Sequence, residues 1–309
     1  MVSEISMRNA FVDGLTELMK EDKNTMLLTA DLGWNSFDHI RENYSSQFMN
    51  LGLSEQAMVG IAAGMAKMGK NVFAYSIIPF LIYRAFEQLR NDICYHDLPV
   101  RLVGTGAGFA YGEAGSTHHP FEDLRVAGAL PNLVILNPSD QIEVKIFLQK
   151  MKGLNHPVYM RLGRSGEPIL HDKLLKIDVG KPLKLNNGED VLIISTGTVT
   201  GVAIAAAKKL NAVKEVAEVL EIHTFKPFDD GTIRKEAEGK KVVVTIEDNN
   251  GALEDKVANA LINTHKSYNF ISFRTPDQFA HTAGRSTYML DLYGITSQKV
   301  IERVMKVLK

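Results

Sequence analysis

The sequence predicts an α/β protein of two domains, each a mostly parallel sheet flanked by helices. Three observations carry this. The chain has 309 residues, and at about 150 residues per domain that is room for two cores. Apolar runs of strand length alternate with amphipathic, helix-length segments through both halves, the pattern of parallel strands covered on both faces. Between the halves, 164–190 lacks long periodic runs and carries two prolines and several charges, which reads as a linker. The expected boundaries are 1–165, a linker at 166–188, and 189–309.

In ISMRNAFVDGLTELMK, Met7, Phe11, Leu15 and Leu18 fall at helical spacing. TMLLTADLG (25–33) reads as a short buried strand ending in a turn. Ser54 suits the N-cap of a helix with Met58, Ile61, Ala62 and Met65 on one face. Strand NVFAYS (71–76) and a helix over 80–95 follow, then strand VRLVG (100–104) and a glycine-rich loop, TGAGFAYGEAGSTHHP (105–120). After a short helix come strand NLVILN (132–137), helix SDQIEVKIFLQKM (139–151) and strand PVYMRL (157–162). The second half places strands at 190–196, 215–222, 241–248 and 269–275, and helices at 199–210, 251–264 and 296–308.

Composition excludes several classes. Apolar residues are 45% and charged residues 23%, so a disordered or fibrous chain is not expected. The net charge of −1, without a basic stripe, speaks against a nucleic-acid partner. One cysteine, Cys94, leaves no disulfide framework and fits a reducing compartment. The N-terminus carries no apolar signal core, and the longest apolar stretch, 73–83, is too short for a bilayer and holds a proline. A cytoplasmic protein with no membrane contact is expected.

The loop at 105–120 has Gly106, Gly108, Gly112 and Gly115 in G-x-G-x-x-x-G spacing. A dinucleotide fingerprint needs G-x-G-x-x-G with a helix starting at once, so that reading fails. The amides of TGTVTG (196–201) can hold an anion, though a tight turn that requires glycine accounts for them as well. His118, His119 and Glu122 do not form a metal site, because Pro120 breaks the helix that would align them; no metal ligand is expected in this chain. No G-x-S-x-G elbow is present. His118 stands apart from the other histidines. It ends a mobile-looking loop at the carboxyl edge of a predicted strand, where open α/β sheets bind ligands. Glu55 opens an otherwise apolar helix, GLSEQAMVGIAAGMA. A helix-dipole carboxylate is the ordinary explanation, but a glutamate buried there is either paired or chemically used. Phe80, Tyr83 and Phe86 follow helical spacing, which alone favours core packing.

Several segments in order go further. GLSEQAMVGIAAGMA, AYSIIPFLIYRAFEQLR, GEAGSTHHPFEDLRVAGALPNLVILNPSD and PVYMRLGRSGEPI closely resemble the pyrimidine-binding domain of transketolases. DVLIISTGTVTGVAIAAAKKL, TFKPFDD and VVVTIEDNNGALEDKVANAL resemble their C-terminal domain. The resemblance covers nearly the whole chain and is greatest to the C-terminal subunit of a split transketolase. Deoxyxylulose-phosphate synthases and the β subunits of 2-oxo-acid dehydrogenases share the architecture and stand as alternatives, as does a scaffold that has lost catalysis.

The resemblance implies a thiamine-diphosphate enzyme that transfers a two-carbon ketol unit from a ketose to an aldose. It places Glu55 against a ring nitrogen of the aminopyrimidine, where a carboxyl proton stabilises the imino tautomer that activates the thiazolium carbon. Phe80 takes the position of the aromatic that stacks on the pyrimidine. Ile77 replaces a second aromatic, and Arg84 completes the cofactor-facing set. His118 takes the position that contacts donor hydroxyls, and Arg164 that of a phosphate-binding arginine. Ser76, Glu113 and Arg161 line the same edge by position. Three departures are implied. Ala114 stands where an aspartate usually selects hydroxyl stereochemistry, Gly106 where a second phosphate-binding histidine usually lies, and His119 where a glutamine is usual. The G-D-G motif that holds Mg²⁺ and the diphosphate is absent. The implied assembly is therefore a homodimer of this chain flanked by two N-terminal transketolase subunits that carry the Mg²⁺ and diphosphate site, an α2β2 heterotetramer acting on sugars or sugar phosphates.

Overall fold

The computed structural model describes residues 6–164, 166–172, 175–212, 216–262, 264 and 266–308. The first half contains α1 (Met7–Glu21), β1 (Thr25–Thr29), α2 (Asp38–Asn43), β2 (Phe48–Asn50), α3 (Glu55–Lys67) and β3 (Asn71–Ile77). It continues with α4 (Phe86–Gln88), β4 (Arg101–Thr105), α5 (Asp123–Gly128), β5 (Val134–Leu136), α6 (Gln141–Met151) and β6 (Val158–Leu162). The second half contains β7 (Leu183–Asn186), β8 (Val191–Ser195), α7 (Thr200–Leu210), β9 (Ala217–Glu221), β10 (Thr224–Lys226) and α8 (Asp230–Glu236). β11 (Val242–Ile246), α9 (Ala252–Ile262), β12 (Asn269–Phe273), α10 (Ser286–Leu292) and α11 (Ser297–Leu308) complete it.

Seven strands form the first sheet in the order β10-β5-β6-β4-β3-β1-β2, and five form the second as β12-β11-β8-β9-β7. All pairings are parallel except β10 with β5 and β7 with β9. Fully buried strands such as β1, β8 and β11 read as near-continuous apolar runs because helices cover both faces. The two halves share one core. Met58, Val72 and Leu81 from the first cluster with Ile194, Leu220, Val243 and Leu253 from the second. No helix among the described residues is long and apolar enough to cross a membrane.

Each helix has a local cause. Ser6 caps α1 by accepting from the Asn9 amide at 3.1 Å, and Met7, Phe11, Leu15 and Leu18 are all buried. Asp140 caps α6 through the amides of Ile142 and Glu143. Ser54 departs from expectation: its hydroxyl donates to the Leu51 carbonyl at 2.7 Å instead of capping α3. The face of α3 that reaches the core is Met58, Val59, Ala62, Ala63 and Ala66, while Ile61 is exposed. Residues 80–94 are helical but not regular: wide π-type turns over Phe80–Arg84 and Leu89–Cys94 flank α4, a widening often found at functional sites. The stretch expected as linker contains β7, an edge strand. Glu215 and Asn263, at the ends of an expected strand and helix, lie outside the described residues.

One register positions the site. Ile77, Thr105 and Leu162 are aligned partners at the carboxyl ends of β3, β4 and β6. The 80–94 helix, the 105–120 loop and Arg164 therefore all leave the sheet from one edge.

Candidate active site

Glu55 is the first residue of α3 and is fully buried. Its Oε2 accepts from Arg84 Nη1 at 2.6 Å, while Oε1 is buried with no hydrogen-bond partner. A helix-dipole carboxylate on the surface would have water on both oxygens; this one has a single partner and a free lone-pair face. Arg84 is half-exposed. Its guanidinium lies 4.6 Å from the Phe80 ring centre, because the π-type turn Phe80–Arg84 sets the two residues side by side.

The 105–120 loop supplies the next members. The His118 ring meets Phe80 edge-on at 5.3 Å and 72°. Its Nδ1 is 2.9 Å from Thr117 Oγ1, and Tyr111 lies 6.0 Å away. The Arg164 guanidinium sits 4.7 Å over the Tyr111 ring. Six side chains thus run in an unbroken line, Glu55, Arg84, Phe80, His118, Tyr111 and Arg164, from a buried carboxylate to an exposed guanidinium.

Tyr111 carries no signal in the sequence beyond being an aromatic in a glycine-rich loop. Its role explains Gly106. That residue has φ +97, and a Cβ there would lie 2.3 Å from the Tyr111 ring, so only glycine fits beneath it. The tyrosine ring fills the space that a histidine at 106 would occupy.

The loop that reads as mobile is fastened at several points. The Gly106 and Ala107 amides donate to the Leu162 carbonyl, both at 2.9 Å, and Gly284 N donates to Gly112 O at 3.1 Å. The Ser116 hydroxyl donates to the Ala280 carbonyl. Phe109 stacks on Tyr293 at 5.3 Å and 11° and packs with Phe121, Ala280 and Met289. The second half of the chain therefore clamps the loop.

Other expected site residues are placed differently. Ile77 is buried at the end of β3. Glu113 and Ala114 are exposed on a short turn, with Glu113 3.8 Å from Arg285 Nε. Ser76 and Arg161 stand at this edge by register, one residue before Ile77 and Leu162, but both side chains are fully buried. Arg161 Nε donates to Asp123 Oδ2 at 2.9 Å and Nη1 to Asp248 Oδ1 at 2.8 Å. Burial works against that guanidinium's charge, but the two carboxylates outweigh it and hold it above its usual range. His119 faces inward as well. Its Nε2 is 3.3 Å from the Gly112 carbonyl and its ring contacts Phe109 and Phe121. Burial lowers its proton affinity, so it serves the loop's packing as a neutral ring. The Cys94 thiol is buried and pushed up to about 12, chiefly by that burial, which makes it inert as a nucleophile.

Residues 3–167 match the transketolase pyrimidine binding domain, and residues 180–300 match the transketolase C-terminal domain. The chain is 33% identical over 308 residues to a protein of Methanocaldococcus jannaschii assigned as a transketolase C-terminal section, covering 98% of this chain and 96% of that one. It is 32% identical over 246 residues to one of the subunits of the apulose-4-phosphate transketolase of Phocaeicola vulgatus, 79% of each. Among solved structures it resembles a split gene transketolase, described as an inactive β4 tetramer, with a TM-score of 0.89, 32% identity and 98% of each chain covered. The chain belongs to the transketolase family, as a C-terminal subunit.

Proposed function

We propose that this chain is the cofactor-activating half of a two-chain, thiamine-diphosphate-dependent transketolase, which moves a two-carbon ketol unit from a ketose to an aldose. The observation that carries the reading is the Oε1 of Glu55, a buried carboxylate oxygen without a partner. An unpaired buried acceptor is costly, roughly 1–3 kcal/mol. A ring nitrogen that shares a proton with it relieves that cost, and the Phe80 ring, against the Arg84 guanidinium that holds Glu55, offers the apolar surface an aromatic ring needs.

In this reading Glu55 holds a proton at the aminopyrimidine, and Arg84 fixes the carboxyl's orientation by occupying its other oxygen. Phe80 and Ile77 exclude water and orient the ring. His118 meets donor hydroxyls, Arg164 binds the acidic end of the sugar, and Glu113 stands at the rim. When bound, thiamine diphosphate supplies the carbon nucleophile that carries the two-carbon unit. Mg²⁺ and the diphosphate fall to an N-terminal transketolase subunit, since this chain lacks the G-D-G element. The inactivity ascribed to the similar β4 tetramer fits a chain that works only with such a partner. Exposed Leu53, Ile61 and Met68 on and beside α3 suit self-association into the core of an α2β2 assembly. The cytoplasm is the expected location. The proposed domain division is 1–165, 166–188 and 189–309, with β7 at the end of the joining stretch.

The test is reconstitution with a chain that carries G-D-G, thiamine diphosphate and Mg²⁺, followed by ketose–aldose transfer. Ketol transfer that requires both chains supports the reading. Pyruvate-dependent carbon dioxide release without ketol transfer assigns the chain to a decarboxylating relative, and absence of both activities favours a scaffold.

A further inference from the structure

A second cluster of buried titratable groups lies at the seam between the halves. Glu143 comes from the first turn of α6, Glu221 is the last residue of β9, and His171 comes from the segment joining the halves. Both glutamates are fully buried, and the His171 side chain is 4% exposed. His171 Nε2 lies 2.9 Å from Glu221 Oε2 and 3.8 Å from Glu143 Oε1, and the three ligand-capable atoms fall within 4.8 Å of one another. Glu143 Oε1 and Glu221 Oε1 receive no hydrogen bond, while Glu221 Oε2 is paired with the imidazole. Two ligands bound to one ion at about 2.1 Å stand no more than about 4.2 Å apart, so a sub-ångström carboxyl rotation closes the set.

The surroundings hold these groups in place. Glu143 Oε2 accepts from the Ser139 amide at 2.7 Å and its hydroxyl at 3.2 Å. Asp140 takes the amides of Ile142 and Glu143 on one oxygen and those of Leu170 and His171 on the other, at 2.8–3.0 Å. One aspartate thus caps α6 and pins the backbone that presents His171, the kind of outer support that metal ligands have. Two carboxylate oxygens without a hydrogen-bond partner, one from Glu143 and one from Glu221, thus lie beside an imidazole in a buried seam.

We propose that Glu143, His171 and Glu221 bind a divalent first-row transition ion of the zinc type, which bolts the two halves together. Mixed imidazole and carboxylate donors suit such ions better than Mg²⁺ or Ca²⁺. Three protein ligands leave a fourth position for water or for Ser139 Oγ, which is 3.1 Å from His171 Nε2. The proposal does not depend on ketol transfer.

The experiment uses the full chain alone, stripped with chelator and then titrated with Zn²⁺ against a chromophoric competitor. Thermal unfolding and Co²⁺ visible spectra are recorded in parallel. One tight equivalent is expected, with a rise in melting temperature on adding Zn²⁺. His171→Gln and Glu143→Gln should each weaken binding at least about 100-fold and abolish the melting shift. His156→Gln, at an exposed histidine beside Asp97, should change neither. Failure of the wild-type chain to take up a stoichiometric ion overturns the proposal and leaves a protonated His171 bridging the carboxylates. Binding that survives in both cluster variants assigns the metal elsewhere and overturns it equally. If one variant fails to fold, the wild-type titration and the other variant decide.

Discussion

Replacing Arg161 by methionine removes the guanidinium that touches both Asp123 and Asp248, while keeping most of its buried volume. Asp123 would retain Tyr159 Oη at 2.6 Å and Asn249 Nδ2 at 2.8 Å, and Asp248 would retain Thr198 Oγ1 at 2.9 Å. Two charge-assisted bonds and the weaker bond to the Pro120 carbonyl at 3.4 Å disappear. Stranding buried charge in this way costs about 3–5 kcal/mol, which at about 2–4 °C per kcal/mol is a fall of about 6–20 °C in melting temperature. The acidity dependence has a definite sign. Burial raises the proton affinity of Asp123 in the folded state, against the opposing pull of Arg161. A carboxyl that binds protons more tightly when folded penalises folding at neutral pH, and the penalty lifts as pH falls through the folded value. Without Arg161 that rise grows, so the deficit of Arg161→Met should narrow between pH 7.5 and pH 5. Adding Asp123→Asn and Asp248→Asn should recover most of the loss, because no charge is then stranded. Differential scanning calorimetry of the three proteins across pH measures all of this. A loss below about 1 kcal/mol, or a deficit that widens on acidification, would refute the reasoning.

The remaining expectations concern the site. Glu55→Gln should lower kcat/KM of the reconstituted enzyme by about 10²–10⁴-fold while leaving the melting temperature nearly unchanged; activity within tenfold of wild type removes Glu55 from the chemistry. Tyr111→Ala should raise KM for phosphorylated sugars more than for unphosphorylated ones, since Arg164 loses the ring beneath it, whereas Tyr111→Phe should behave as wild type. Gly106→Ala combines φ +97 with a Cβ driven into Tyr111 and should cost about 1–3 kcal/mol in urea unfolding; an unaffected midpoint would show that the tyrosine ring moves aside freely.

What the sequence exposed, and what it hid, follows from how far apart the partners lie. Buried parallel strands such as β8 and β11 announce themselves as apolar runs, and α1 by a clean stripe of large apolar side chains. The edge strands β2, β7 and β10 were not legible, because two of them are half-exposed and mixed in character and the third is only three residues long. The neighbourhood of Glu55, Phe80 and His118 emerged from an ordered set of segments. Their contact depends on the shared register of β3 and β4, which no single segment reveals. The ion pairs of Arg161 were hidden for the same reason: its carboxylate partners lie 38 and 87 residues away. Glu143, His171 and Glu221 are likewise contributed by three unrelated segments, and no spacing rule could assemble them.

β10 has a consequence for biogenesis. Thr224–Lys226 is made long after β5, yet it is the strand that covers the outer side of β5. Until that part of the chain has emerged from the ribosome, the growing first sheet presents a bare row of backbone donors and acceptors along Val134–Leu136. Such an open edge pairs readily with other nascent chains. A fragment ending at the boundary between the halves would therefore keep that edge open permanently, and the chain's two halves are bound to mature together rather than one after the other.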